Sequence, residues 1–169
     1  MRWSYLNQSN NIKYIVRSAI LGSIQYIIFY MFSDILYIEL ITFTTVLIAD
    51  VFTRKEAVKG SFVFAISNIL TKQGITFYSL MYLIIYPIYS LIISYMPKDK
   101  NGIKICCCFI FSILTGQLLQ LPFMIFSSNI TIYYIIIGLK TSIIQGVITL
   151  FISYMIYTKV KLILIKIVK

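Results

Sequence analysis

Histidine is absent from this 169-residue chain, and only five residues are acidic. The first absence excludes a zinc protease with histidine ligands and a rhomboid-like protease with a histidine base. No clustered acid pair such as D-x-x-D occurs, which argues against a metal-dependent lipid phosphotransferase. No G-x-x-x-x-G-K-[ST] occurs either, so the chain cannot hold ATP in a P-loop. Cysteine is confined to Cys106, Cys107 and Cys108. Three adjacent thiols have no zinc-ligand spacing and read as apolar side chains more readily than as acylation sites. No residue stands out as catalytic and none as a metal ligand, so no enzymatic activity is expected. Charge of any sign is scarce, at 12% of residues, too little to cover a soluble domain of this length.

What the chain does have is apolar length. It is 60% hydrophobic, with a mean hydropathy of +0.91. The pattern predicts an all-α polytopic integral membrane protein, a single transmembrane domain over residues 1–169. Six helices are expected, at about 12–32, 38–52, 57–71, 76–96, 103–126 and 130–157, followed by a basic tail. Pro87 predicts a kink in the fourth helix, and Pro122 lies near the end of the fifth. The N-terminus begins polar from Ser4 to Asn11 and lacks a small-x-small cleavage site, unlike a signal peptide.

The net charge of +10 is not a nucleic-acid signature, because the basic residues sit in short segments between apolar runs. Six spans put 13 of the 15 basic residues on one side, leaving Lys72 on the other and Lys140 inside the sixth helix. By the positive-inside rule both termini are cytoplasmic in a multi-pass protein of the cell membrane.

Polar residues inside apolar helices are the candidate site. Glu39 opens the second helix and Lys72 closes the third; each suits the helix dipole at its end, and each also suits ligand contact. Asn68 continues a face of Ser61, Ala65 and Lys72, and a buried Asn needs a partner helix or a ligand. Gln120 shares a face with Ser112 and Gly116 and poses the same choice. Gly138, Ser142, Gln145, Gly146, Thr149 and Ser153 form a packing stripe on the sixth helix. Lys140, on the opposite face, either snorkels to the interface or lines a cavity. Tyr78, Tyr82 and Tyr86 recur every four residues and suit interface packing or stacking on a flat ring. Asp50 is expected to pair with Arg54 one turn on. Ser18, Ala19, Gly22 and Ser23 form two interleaved small-x-x-x-small patterns, where another helix can approach closely.

Together, the segments SAILGS, IELITF, VFTRK and AISNILTKQG resemble the substrate-binding S component of an energy-coupling-factor (ECF) vitamin transporter. The resemblance covers most of the chain and is clearest through the fourth helix. It implies six helices, cytoplasmic termini and an outward-facing pocket for a water-soluble vitamin or related micronutrient. It also implies docking of the first helix, through Ala19 and Ser23, on a membrane-embedded T component. Two ABC-type ATPases would supply energy from ATP and topple the S component to deliver its guest inward. The expected ligand residues are Glu39, Asn68, Lys72, Gln120 and Lys140, with Tyr82 as a stacking surface. One acid and two cations suit a guest with amides and an anionic group. Glu39-Leu40 stands where many relatives have Glu-Pro, and KQGITFYS replaces a stretch rich in Gly, Pro and Trp, so the guest stays open. The competing expectation is a six-helix scaffold without transport, such as a subunit of a rod-shape or cell-wall complex.

Overall fold

A computed structural model of the chain describes residues 2–35 and 37–168; the side chains of 2–10, 72, 73, 128 and 168 lie outside the described set. Among the described residues there are six α-helices and no strand: α1 (Arg2–Phe32), α2 (Leu40–Val51), α3 (Arg54–Asn68), α4 (Phe77–Ser94), α5 (Asn101–Leu118) and α6 (Ser128–Val168). A π-helical turn, Ile69–Gln73, extends α3, and a 3-10 turn, Leu121–Ile125, follows α5.

The helix ends follow local chemistry. Thr53 and Glu56 form a capping box, so α3 starts three residues earlier than the apolar pattern predicts. Thr76 and Ser79 cap α4 in the same reciprocal way. α4 runs through Pro87 without a break. α5 stops at Leu118, short of the expected 126: Pro122 has no N–H to donate and crowds the carbonyl four residues back, leaving only a 3-10 turn beyond it. α6 does not end at 157. It continues as one helix to Val168 because Tyr157, Val160, Lys161 and Leu164 remain packed against the bundle at helical spacing.

Among the described residues four stretches are long and apolar enough to cross a membrane: Asn11–Phe32, Phe77–Ser94, Asn101–Ile125 and Asn129–Ile167. α2 is apolar but has only 12 residues. At 1.5 Å per residue that is about 18 Å, against a hydrocarbon core of about 30 Å. Its surroundings explain how so short a helix is accommodated. Every residue from Ile41 to Asp50 is buried, and α2 touches all five other helices, so protein rather than lipid surrounds it.

The interior holds many polar side chains beside its hydrophobic core, and the exterior is largely apolar. Gln25, Thr42, Thr45, Asp50, Ser61, Asn68, Ser90, Ser112 and Thr149 are buried, while Ile136, Val147, Phe151 and Tyr154 of α6 are exposed. An apolar exterior of this kind is matched by lipid, consistent with a membrane protein.

The two small-residue patterns of α1 separate in space. Ser18 and Gly22 face inward and Ala19 and Ser23 face outward. Gly22 lies against α3, where an added Cβ would stand 2.6 Å from the Gly60 carbonyl oxygen and from Val63 Cβ. Gly60 meets α1 in return, with Leu21 Cβ 3.2 Å from its own added Cβ. Gly22→Ala should therefore destabilise the fold by about 1–3 kcal/mol, the usual range for overpacking. Ala19→Leu should leave the thermal unfolding midpoint in detergent unchanged. Equal midpoints for the two variants would show that the α1–α3 contact is not tight.

Candidate functional site

The site is built around the start of α2. The chain turns back after α1 through Tyr37, whose φ of +65° lies in the left-handed region that favours glycine. Glu39 follows in extended conformation, and its side chain makes no capping bond to its own helix. It points into the bundle, to partners on four helices. Thr42 Oγ1 of α2 and Tyr86 OH of α4 donate to Oε1, at 2.7 and 3.0 Å. Ser112 Oγ of α5 and Gln145 Nε2 of α6 donate to Oε2, each at 2.8 Å. Thr149 Oγ1 reaches the Glu39 carbonyl oxygen at 3.4 Å. Tyr86 lies nine residues, about 14 Å, into α4.

Four donors on one carboxylate occupy about four lone-pair positions, the capacity of the ionised group. They are all neutral. Among the described residues no lysine or arginine pairs with Glu39. The α2 dipole contributes about 0.3–1 kcal/mol, or up to about 2 kcal/mol in partly buried geometries. Desolvation of a carboxylate costs several kcal/mol. Hydrogen bonds therefore do most of the holding, and dipole compensation is a minor part.

Above this carboxylate is a cavity of about 420 Å³. Ser33, Asp34, Ile35, Tyr37 and Thr141 form its exposed rim; Ile41, Tyr82, Tyr86 and Thr115 form its buried walls. Phe29 completes an aromatic side, packing edge-on to Tyr82 with ring centroids 6.0 Å apart. The volume falls within the range of about 300–1,000 Å³ common for small-molecule sites.

Comparison of the chain with protein-family models, with curated proteins and with solved structures found no match. The functional reading therefore rests on the site itself.

Of the residues expected from the sequence, Glu39 and Tyr82 meet at this cavity. Asn68 is fully buried in α3, away from the cavity lining. Gln120 is half-buried just beyond α5, and Lys140 is exposed on α6; neither lines the cavity. The Lys72 side chain lies outside the described residues. Ser18, Ala19, Gly22 and Ser23 lie on α1, outside the cavity lining. Nothing in the sequence pattern marks Gln145 or Thr149 as partners of Glu39. Both lie on the α6 stripe, which does pack on α5: Gln117 Nε2 donates to Ser142 Oγ at 2.8 Å, and Gly146 meets Ile113. The stripe also serves the site, a second role that small-residue spacing does not announce. Among the described residues no group of three or more His, Cys, Asp or Glu could hold a metal ion.

The other end of α2 carries a second buried carboxylate, and here the expected partner is wrong. Asp50 does not pair with Arg54, because α2 ends at Val51 and Phe52 turns extended, so the two residues do not share a helix. Arg54 sits over the Tyr95 ring instead, 3.7 Å from its centroid. Asp50 Oδ1 accepts from Lys104 of α5. Oδ2 takes Tyr157 OH at 2.8 Å and Lys161 Nζ at 2.7 Å, both from α6. Lys161 also donates to the Lys98 carbonyl and to Asn101 Oδ1. Two lysines that topology places among the solvated loops are thus buried counter-ions. Asp50→Ala strands both and should cost about 3–5 kcal/mol, the range for breaking a buried pair. Arg54→Ala, at the exposed stack, should cost about 0.5–1 kcal/mol. Chemical unfolding of both variants in detergent checks the ranking.

Proposed function

We propose that this chain is the substrate-capture subunit of an ECF-type transporter, binding a water-soluble vitamin or related micronutrient. The observation that carries the reading is the cavity of about 420 Å³ lined by Glu39, whose carboxylate is held by Ser112 and Gln145. A buried carboxylate oriented by four helices is a preorganised polar anchor beneath apolar and aromatic walls, the usual make-up of a small-molecule site. In this reading all six helices belong to the membrane domain, with α2 shielded by its neighbours, and both termini are cytoplasmic. The cavity end of the bundle, which holds the 33–39 segment and the α3–α4 and α5–α6 connections, then faces outward. Energy comes from partners: a T component docked on the outward face of α1 at Ala19 and Ser23, and two ABC-type ATPases that hydrolyse ATP. Movement of the whole subunit against the T component would carry the guest across.

The bonds at Glu39 would also serve a six-helix scaffold with no guest, since they tie α2, α4, α5 and α6 together. Two measurements separate the readings. A thermal-shift screen of vitamins, their precursors and modified bases on the detergent-purified chain should find a stabilising guest. Tyr82→Ala should weaken its binding by about tenfold or more, equivalent to about 1.4 kcal/mol. Asn68→Ala and Gln120→Ala should leave affinity within about threefold, because neither side chain lines the cavity. Co-expression should recover a T component and ATPases with the wild type and lose them in Ala19→Leu. An empty screen, together with recovery of cell-wall synthesis proteins, would decide for the scaffold.

A further inference from the structure

The two carboxylates of α2 are neutralised differently, and the difference bears on what the cavity binds. Asp50 has two lysines, Lys104 and Lys161, both built into the bundle. Glu39 has four hydrogen-bond donors and, among the described residues, no cation. A buried anion without a counter-ion is costly where protein encloses it completely. Glu39 instead faces a cavity, where a guest can supply the missing charge.

The walls favour the same sign. Among the described residues that line the cavity there is no lysine or arginine. Phe29, Tyr82 and Tyr86 line it, and aromatic faces attract organic cations within about 6 Å. The carboxylate's four donors already fill its lone-pair positions, so the guest need not reach it by direct hydrogen bonding. A diffuse charge against the rings, with the carboxylate beneath, meets that limit better than a compact ammonium that must replace its hydration shell.

We infer that the guest class is a small organic cation, a quaternary or ring-alkylated nitrogen, held by the aromatic walls above Glu39. It departs from the expectation of an anionic group, which relied on Lys72, whose side chain lies outside the described residues, and on Lys140, which does not line the cavity. It rests on the capture reading and narrows it.

The test uses the full chain in detergent and two matched pairs of probes followed by calorimetry. One pair is choline and its uncharged carbon isostere; the other is nicotinamide methylated at the ring nitrogen and nicotinamide itself. Each cation should bind at least about tenfold tighter than its neutral partner. Thr141→Lys, at an exposed rim position, should abolish that preference, while Thr141→Glu preserves it. Glu39→Gln should also abolish it, and the Thr141 variants keep the test decisive where Glu39→Gln does not fold. Neutral probes binding as tightly as cations, a preference that survives Thr141→Lys, or a neutral or anionic guest from the micronutrient screen would overturn the cation class and leave capture standing. No binding by any probe or screened compound would overturn both.

Discussion

A short buried helix with a carboxylate at each end is the constraint on which this structure depends. Glu39 and Asp50 are eleven residues apart on α2, about 17 Å along its axis. Each is bound by side chains from α5 and α6, and Glu39 also reaches α4. In apolar surroundings a hydrophobic contact between two helices has little directional preference, whereas a carboxylate with unmet acceptors is costly. The two polar clusters therefore set the depth and rotation of α5 and α6 against α2. Sliding α6 by one turn would break Gln145, Tyr157 and Lys161 from their partners together.

The clusters differ in kind. At Asp50 the charge is balanced by lysines, so the site is complete and closed. At Glu39 the described partners are neutral hydrogen-bond donors, beside open volume. Charged groups within membrane bundles are expensive and tend to mark function. Asp50 shows that the same helix can carry a fully paired acid, which makes the acid with no counter-ion among the described residues the informative one.

The helices were legible in the sequence because apolar runs and their interruptions are local. The exterior was legible for the same reason: the outward residues of α6 are largely apolar. What stayed hidden depends on how helices rotate against one another. Pairing Asp50 with Arg54 assumes one continuous helix, and the turn at Phe52 removes that assumption. In the sequence Lys104 and Lys161 are topology markers, because a charge count cannot tell a solvated lysine from one folded back onto an acid. Glu39 was visible as an isolated acid at the start of an apolar run. Its partners were not, since Ser112, Gln145 and Thr149 look like any small or polar residue in a packing seam until α5 and α6 are set beside α2.

The two ends of the proposed function make separate demands on the chain, and the fold keeps them apart. The α1–α3 contact closes on glycine, Gly22 against Gly60, and uses one of the two interleaved patterns. The other pattern, Ala19 and Ser23, is left on the outer face. The cavity draws mainly on α2, α4, α5 and α6, with Phe29 and the segment after α1 at its side. Substitutions at sites without shared partners act nearly independently. A helix could thus be changed on its outward face to suit a docking partner without disturbing the four bonds at Glu39. The walls could be changed to suit a different guest without loosening the α1–α3 seam. That separation follows from two small-residue stripes lying one position apart on a single helix.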